Sequence, residues 1–170
     1  YLAGEGGLLL VSRDGGKKWV KSEVPYDGSF FGALPLDDGR VVESVLMRYP
    51  ARGSRRERTT LCISSQAGCA VGCPFCATGE LGLWRDLLPS EIIDQARYWR
   101  RLLLAEGRRL TNIVFMGMGE PLLNLGALAD ALELLGETIS PRRITVSTAG
   151  HVPGLAELAL RVAHELLPEA

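Results

Sequence analysis

The sequence predicts an α/β fold in which short parallel strands alternate with amphipathic helices. Three short stretches are rich in β-branched or apolar residues, as expected of strands that are buried on both faces. Three longer stretches carry apolar residues at helical spacing, and each of them follows one of the strands. This alternation is typical of a parallel sheet with helices packed against it, because a parallel connection needs a crossover segment.

Each predicted element can be placed on the sequence. The strands are Arg58 to Ser65, Asn112 to Gly117 and Ile144 to Ala149. Ser90 is expected to cap the first helix. The apolar faces of the three helices contain, in chain order, Ile92, Ala96, Trp99 and Leu103, then Leu125, Leu128, Leu132 and Leu135, then Leu155, Leu158, Val162 and Leu166. Functional residues in such folds gather at the carboxyl ends of the strands, so we expect them among the residues that follow each strand.

Length, composition and charge are those of one ordinary globular domain. The chain has 170 residues, of which 46% are hydrophobic and 23% charged, with a formal net charge of −1. The overall charge therefore gives no signal for nucleic acid. No apolar run reaches the roughly 18 residues that a membrane span requires, and no secretory signal opens the chain. We expect a cytoplasmic monomer with reduced thiols and no membrane partner.

Residues 1–35 differ in character from the rest of the chain, because they are rich in glycine and in turn-forming residues. Ser12 to Trp19 (SRDGGKKW) matches the S-x-D-x-G-x-x-W pattern of the Asp-box, which is found at hairpin turns of some β-propellers. With Pro25 to Phe31, the stretch resembles one repeat of a propeller related to photosystem assembly factors. One repeat cannot close a propeller, so we expect a short β-rich segment that is incomplete or foreign. A hairpin that only resembles an Asp-box is the alternative.

Three of the four cysteines fall within eight residues, in the arrangement C-x3-C-x2-C formed by Cys69, Cys73 and Cys76. Thiolates bind iron well, and short spacers let one loop reach three corners of a cubane cluster. Three ligands leave one iron open to an outside ligand, as a catalytic site requires. A structural zinc site would need a fourth ligand. Cys62 could supply it but lies inside a predicted strand, so zinc or simple buried thiols are the weaker alternatives.

Four stretches carry a family resemblance. They are Arg58 to Cys69 (RTTLCISSQAGC), Cys76 to Gly79 (CATG), Met116 to Asn124 (MGMGEPLLN) and Arg142 to Gly150 (RRITVSTAG). The cysteine spacing is similar to that of the radical S-adenosylmethionine (SAM) superfamily, and the surrounding motifs resemble its RlmN-type RNA methyltransferases and their Cfr-type relatives. The resemblance implies that residues 36–170 form about the first three units of a partial (β/α)6 barrel. It also implies truncation, since that family is roughly twice as long.

The resemblance implies two cofactors and their ligands. The three clustered cysteines would hold a 4Fe-4S cluster, whose open iron binds the amino and carboxylate groups of SAM. Phe75 stands where the family has an aromatic residue that contacts the adenine of SAM. Gly119 and Glu120 resemble a SAM-contacting pair, in which the carboxylate can hold the methionine ammonium. Ser147 resembles a serine that binds SAM at the end of the third strand.

The resemblance also implies a reaction, namely methylation of C2 of adenine in 23S rRNA and tRNA, with an electron donor such as flavodoxin. Glu43 matches the residue assigned as proton acceptor. Cys62 matches a cysteine that forms a transient disulfide with a methyl-carrying cysteine near the C-terminus of the family. No cysteine follows Cys76 in this chain, so that carrier is absent from it. Methylation at C8, as in Cfr-type enzymes, and an inactive iron–sulfur or zinc binding fragment remain alternatives.

Apart from the family resemblance, local charge is the sequence feature that indicates where RNA could bind. A segment of eleven residues contains five arginines and one glutamate. This excess of positive charge predicts a phosphate-binding patch beside the active site. These arginines are Arg48, Arg52, Arg55, Arg56 and Arg58. A second group is predicted to be a solvated helix face and its end. It consists of Arg97, Arg100, Arg101, Arg108 and Arg109.

Overall fold

The computed structural model describes residues 2–3, 9–22, 33–54 and 56–161. The strands are β1 (Leu2–Ala3), β2 (Leu9–Val11), β3 (Val20–Lys21), β4 (Ala33–Pro35), β5 (Val41–Glu43), β6 (Val45–Tyr49), β7 (Arg58–Ile63), β8 (Gln66–Gly68), β9 (Leu83–Asp86), β10 (Asn112–Phe115) and β11 (Ile144–Val146). The helices are α1 (Ala77–Glu80), α2 (Pro89–Ala105), α3 (Leu125–Gly136) and α4 (Val152–Arg161). Short 3-10 turns occupy Pro121–Leu123 and Pro141–Arg143.

A four-stranded sheet with the order β11-β10-β7-β6 forms the centre of the fold. The strands β7, β10 and β11 pair in parallel, which confirms the predicted architecture, whereas β6 is antiparallel to β7. Each parallel strand is two or three residues shorter than predicted and ends at Ile63, Phe115 or Val146. After β7 the chain leaves the sheet because the next residues bond to a helix side chain and to the loop that follows β10. The N–H of Ser64, for example, donates to the side chain of Gln95.

Two helices cover one face of this sheet and form the core. Leu61 and Ile63 of β7 and Ile113 and Phe115 of β10 are at most 1% exposed. They belong to one cluster with the buried faces of α2 and α3. The predicted faces of these two helices are confirmed, with Trp99 and Leu125 only partly buried.

Two predictions about the helices are wrong in part. The helix α2 begins at Pro89, so Ser90 lies inside its first turn and does not cap it. The carboxylate of Glu91 instead accepts the N–H of Leu88 at 2.8 Å, while the fixed φ of proline suits the first helical position. In α4, Leu158 is buried but Leu155 is 49% exposed. The other two residues predicted for that face, Val162 and Leu166, lie outside the described residues.

The other face of the sheet is more open. One row of paired residues runs across all four strands on this face, from Val45 through Cys62 and Val114 to Thr145. The first three of these are half-buried and Thr145 is exposed. The alternation of side chains along β7 therefore directs Cys62 away from the helices, on the face opposite to Leu61 and Ile63.

The first three strands form a separate antiparallel sheet with the order β1-β2-β3. In the turn between β2 and β3, the Asp14 carboxylate accepts the N–H groups of Lys17 and Lys18 at 3.0 and 2.9 Å, and these hydrogen bonds close the turn. The backbone N–H of Lys18 and the hydroxyl of Ser12 lower the pKa of Asp14. β2 and β3 pair antiparallel across this turn, whereas the Asp-box assignment, a propeller origin and a boundary at residue 35 remain predictions. Pro25 to Phe31 lie outside the described residues.

Candidate active site at the carboxyl edge of the sheet

Three loops meet where the parallel strands end. They follow β7, β10 and β11. Backbone hydrogen bonds join the first loop to the second at Met118, the second loop to β7 and the third loop to β10. The N–H of Gly117 donates to the carbonyl of Ile63 at 3.1 Å, and the N–H of Ser147 donates to the carbonyl of Phe115 at 3.3 Å. The loops that carry the cysteines, the Gly119–Glu120 pair and Ser147 therefore lie at one edge, as the sequence predicts.

Buried amide side chains hold the connection between β7 and β8 in place. Gln95 of α2 accepts from the N–H of Ser64 at 2.8 Å and donates to its carbonyl at 2.9 Å. Asn124 donates to the carbonyls of Ser65 and Leu87 at 2.9 and 2.8 Å. Gln95 and Asn124 are 1% and 8% exposed. Because an unbonded polar group in such a position would be costly, these bonds hold the connection in one conformation.

Gln66 joins the loop that precedes the cysteines to the Gly119–Glu120 loop. Its amide oxygen accepts the N–H of Glu120 at 2.8 Å, and its amide nitrogen donates to Asp86 at 2.7 Å. Gly119 has a φ of +98°, and a Cβ there would lie 2.5 Å from Cβ of Gln66. Only glycine permits this approach without strain. The contact of Gly119 with Gln66 therefore fixes the spacing between the two loops.

The Glu120 carboxylate is buried and 3% exposed. One oxygen accepts the N–H of Leu122 at 3.0 Å and the other the N–H of Ala149 at 2.6 Å. The predicted SAM-contacting carboxylate thus also holds the loop after β11 against the loop after β10. Each carboxylate oxygen has two lone pairs, so these bonds leave capacity for a further donor.

The three clustered cysteines lie on a loop closed by the β8–β9 hairpin. The N–H of Cys69 donates to the carbonyl of Gly82 at 3.0 Å, and the N–H of Cys76 donates to the carbonyl of Cys73 at 3.0 Å. The helix α1 begins directly after Cys76 and carries Gly79, where a Cβ would lie 2.9 Å from the nitrogen of Cys73. The loop is therefore wrapped tightly around the α1 turn.

The donor set on the cysteine loop consists of three thiols. Within residues 2–3, 9–22, 33–54 and 56–161, no three His, Cys, Asp or Glu side chains are grouped so that they could hold one metal ion. A cubane cluster binds each thiolate at a different iron, and three thiolates leave its fourth iron open to another ligand. Cys69, Cys73 and Cys76 are all half-buried free thiols on one loop. This arrangement fits a cluster held at three corners.

Apolar side chains beside the cysteines are exposed. Phe75 is 89% exposed and Met116 is 63% exposed. Both lie on loops at the carboxyl edge, immediately before Cys76 and immediately after β10 respectively. An exposed aromatic ring of this kind is available to stack on a planar ligand.

Glu43 and Cys62 lie close together, although nineteen positions separate them in the sequence. Burial raises the pKa of the Cys62 thiol, the backbone of Met116 lowers it through a hydrogen bond, and the charge of Glu43 raises it again. The carbonyl of Glu43 also accepts the hydroxyl of Ser64 at 2.6 Å. The structure therefore brings together the two residues to which the resemblance assigns chemistry.

An arginine that the sequence did not single out supports the cysteine hairpin. Arg85 of β9 binds Asp38 at 2.7 Å and both oxygens of Glu91 at 2.7 and 2.8 Å. The Arg85 guanidinium lowers the pKa of Asp38 well below its usual range, and the backbone N–H of Arg40 adds to this effect. Arg85 thereby ties β9 to the turn after β4 and to the first turn of α2.

The basic segment lies elsewhere than predicted. Because β6 is antiparallel to β7, Tyr49 pairs with Arg58 at the amino end of β7, while Val45 pairs with Cys62 near its carboxyl end. The described arginines of this segment are therefore at the edge of the sheet opposite to the cysteine loop. The prediction of a patch beside the active site is wrong, and Arg55 lies outside the described residues.

The main contacts that sequence reasoning missed are amide side chains. Gln66 and Asn124 lie inside motifs in which only the glycines, cysteines and glutamate have a predicted function. Gln95 is one polar residue on an otherwise apolar helix face, between Ile92 and Ala96. A polar residue at a core position of a helix is the signal that could have indicated a buried hydrogen bond.

The fold is that of a radical SAM protein. The chain belongs to the radical SAM superfamily, whose family model matches residues 63–166. It is 50% identical over 130 residues to the dual-specificity RNA methyltransferase RlmN 1 of Myxococcus xanthus, and 53% identical over 133 residues to a probable dual-specificity RNA methyltransferase RlmN of Akkermansia muciniphila. These matches cover 74% and 73% of this chain, and 34% and 35% of the relatives.

A solved structure agrees with the family match. The crystal structure of a radical SAM methyltransferase from Sphaerobacter thermophilus is similar with a TM-score of 0.69 at 41% sequence identity. The match covers 90% of this chain and 42% of that protein. The chain thus spans about a third of the length of the curated relatives that it matches.

In the described part of the chain, no helix is both long and apolar enough to cross a membrane.

Proposed function

We propose that this chain provides the cluster-binding and SAM-binding part of an RlmN-type methyltransferase that acts on C2 of adenine in 23S rRNA and tRNA. The observation that carries the proposal is the meeting of three loops at one edge of the sheet, joined by Gln66 and Glu120. The relatives named dual-specificity RNA methyltransferases support RNA as the substrate class. The resemblance also supports a flavodoxin-type electron donor, a monomeric state and a cytoplasmic location.

Cys69, Cys73 and Cys76 would hold a 4Fe-4S cluster as thiolates, and Gly119, Glu120 and Ser147 would bind SAM. When bound, these groups supply an electron, a methyl group and a radical that removes hydrogen. The glycine permits a ligand to approach the backbone closely. A spare lone pair on the buried carboxylate of Glu120 would accept a hydrogen bond from the methionine ammonium, and the exposed ring of Phe75 would contact the adenine of SAM.

Glu43 and Cys62 would handle protons and sulfur on the open face of the sheet. Because burial and the charge of Glu43 raise the pKa of Cys62, the thiol stays protonated near neutral pH. The proposed role of Glu43 is to accept the proton that leaves the substrate carbon. The proposed role of Cys62 is to attack the sulfur of the thioether that joins the carrier cysteine to the base, so that an S–S bond forms, the S–C bond breaks and the thiol proton ends on the carbon of the released methyl group.

Anaerobic reconstitution with iron and sulfide tests the cluster. We expect about four iron and four sulfide per chain, as for a cubane cluster. Single substitutions Cys69→Ala, Cys73→Ala and Cys76→Ala should each abolish incorporation. The matched control Cys62→Ala should leave it intact, because this thiol lies within a strand. Tight binding of one zinc per chain, with no preference for iron, would refute the proposal.

A second measurement tests the substrate and the position of methylation. A version of this chain that is completed with the C-terminal half of a curated relative should form 2-methyladenosine in 23S rRNA and tRNA, detected by mass spectrometry of the nucleosides. Formation of 8-methyladenosine instead would assign the chain to the Cfr-type reaction. Absence of any methylated adenosine, with cluster and SAM bound, would contradict the methyltransferase assignment.

A further inference from the structure

An arginine-rich groove lies at the amino edge of the sheet, opposite to the cysteine loop. Its volume is about 710 Å3. The groove is lined by Arg48, Tyr49, Pro50, Arg52, Arg56 and Arg58. The end of β6, the start of β7 and the segment that connects them supply all of these residues. We call this feature the arginine groove.

The arginine groove carries positive charge that nearby carboxylates do not neutralise. Arg48 is bound by Glu106 at 2.8 Å, and Glu57 is bound by Arg108 at 3.0 Å. Among the described residues, no carboxylate lies within salt-bridge distance of Arg52, Arg56 or Arg58. Three guanidinium groups therefore face solvent together, in a chain whose net charge is −1.

Two walls of the arginine groove are held by rigid elements. The guanidinium of Arg58 lies 4.4 Å from the centre of the Tyr49 ring, its cross-strand partner. Arg48 is tied to the end of α2 through Glu106. Such contacts lower the entropy lost when a ligand binds, because these side chains are already ordered.

We propose that the arginine groove binds the phosphate backbone of an RNA, as a second contact apart from the loops that would face the reacting base. The identity of the polyanion as RNA rests on the proposed function. Guanidinium groups match phosphate oxygens in pairs, which suits arginine to this task. A membrane fits less well, because four of the six described lining residues are arginines that surround a groove, whereas a membrane-binding surface presents a broad apolar face beside its basic residues.

The location determines what such binding recognises. From Arg58 to Ile63 the strand β7 advances five residues, or about 16 Å at the usual rise per residue. A single nucleotide at the carboxyl edge cannot reach across this distance. The arginine groove therefore recognises a neighbouring part of a folded RNA, and it adds affinity without reading the base that reacts.

Salt-dependent RNA binding tests the inference. A fluorescent RNA hairpin is titrated with the reconstituted chain at several salt concentrations, without methyl transfer. The variant R52S/R56S should bind roughly tenfold more weakly at low salt, and the slope of log affinity against log salt should fall by about one per arginine removed. The control R97S/R101S removes two exposed charges from α2 and should keep the slope of the unaltered chain. The variant R52K/R56K should keep most of the slope because it keeps the charge.

Three outcomes would overturn the inference. The first is an unchanged salt slope in R52S/R56S, and the second is an equal loss of RNA affinity in R97S/R101S. The third is binding to vesicles containing phosphatidylserine that is tighter than binding to RNA and is weakened to the same extent in R52S/R56S. Circular dichroism of each variant verifies folding. Because this experiment does not measure methyl transfer, it can refute RNA binding by the arginine groove without contradicting the proposed function. If cluster assembly fails, or if the chain extended with the C-terminal half of a relative forms no methylated adenosine, while the salt slopes behave as expected, the proposed function alone is refuted.

Discussion

The carboxylate of Glu120 accepts a hydrogen bond of 2.6 Å from the backbone N–H of Ala149, which joins the loop after β10 to the loop after β11. Its second oxygen accepts the N–H of Leu122 at 3.0 Å. One buried carboxylate thus organises both of the loops for which we propose SAM contacts. Loss of this side chain should therefore affect folding as well as cofactor binding.

The substitution Glu120→Ala should lower the free energy of unfolding by about 3 kcal/mol. Two hydrogen bonds to a charged group are lost, and two N–H groups are left without that acceptor. Urea denaturation of the chain measures this. The control Glu133→Ala, at an exposed position on α3, should change stability by less than about 0.5 kcal/mol. In the reconstituted chain, Glu120→Ala should also weaken the change that SAM causes in the EPR spectrum. Unaltered stability would show that the contact with Ala149 contributes little.

A second prediction concerns the glycine beneath the cysteine loop. A Cβ at Gly79 would lie 2.9 Å from the nitrogen and 3.0 Å from the oxygen of Cys73, and these backbone atoms cannot turn aside as a side chain can. Gly79→Ala should therefore displace Cys73. A strain of about 1–3 kcal/mol, if borne wholly by the cluster site, corresponds to roughly 5- to 150-fold weaker retention of the cluster. Iron loss to a chelator, followed by absorbance, measures it.

The matched control for this substitution is Gly126→Ala. Gly126 lies in α3, and a Cβ there would meet nothing within 4 Å. Alanine is favoured over glycine in a helix by about 1 kcal/mol, so this variant should keep the cluster and gain slightly in stability. If both variants retained iron equally, the tight contact between Gly79 and Cys73 would have no part in cluster binding.

The third prediction concerns the pH dependence of the Cys62 thiol. Burial raises its pKa, a backbone hydrogen bond from Met116 lowers it, and the charge of Glu43 raises it. Glu43→Gln removes a negative charge that opposes ionisation, so the pKa should fall and alkylation should begin at lower pH. The rate of reaction with iodoacetamide, in a background where the other three cysteines are serine, measures the shift.

Asp130→Asn in the same background serves as the control, because this residue lies on the exposed side of α3. It removes one negative charge and should leave the pH profile of Cys62 unchanged. An upward shift in Glu43→Gln would mean that the interaction of the two side chains has the opposite sign. Equal profiles in all proteins would mean that burial alone raises the pKa.

The strands and helices of the sheet could be predicted, but the pairing around Glu43 could not. The apolar strands that end at Ile63 and Phe115 and the helix face of Ile92 and Ala96 carry clear patterns. β5 ends at Glu43 and β6 begins at Val45, and the two strands pair with different partners, β5 with β4 and β6 with β7. The indole N–H of Trp99 donates to the hydroxyl of Ser44 at 2.8 Å, a contact between residues 55 positions apart that no local pattern reveals.

The candidate site could be predicted where residue type and chemistry coincide. Thiols at short spacing indicate a metal or a cluster by themselves, so the cysteine loop needs no tertiary information. The role of Gln66 depends on two partners, Glu120 and Asp86, that lie far away in sequence. The position of the arginines depends on the direction of β6. Only a few residues separate Arg58 from Cys62, and the sequence does not indicate that these two residues lie at opposite edges of the sheet.

The final prediction is that a polypeptide of these 170 residues does not methylate RNA alone, even with a full cluster. In the proposed reaction, hydrogen is removed from a methyl group that is already attached to a thiol beside the adenine. Three of the four cysteines would be bound to iron, and Cys62 is the only other thiol. Its proposed role is to attack the methylated thioether, and one sulfur cannot both carry the methyl group and attack it.

The loaded chain should therefore cleave SAM slowly, giving methionine and 5′-deoxyadenosine, with no methylated adenosine in treated rRNA or tRNA. Mass spectrometry of the nucleosides and of the small-molecule products measures both results in one reaction. The variant Cys62→Ala is the control, because it should cleave SAM at the same rate. If the unaltered chain formed 2-methyladenosine, Cys62 or a cluster ligand would have to carry the methyl group, and the assignment of a separate carrier cysteine would be wrong.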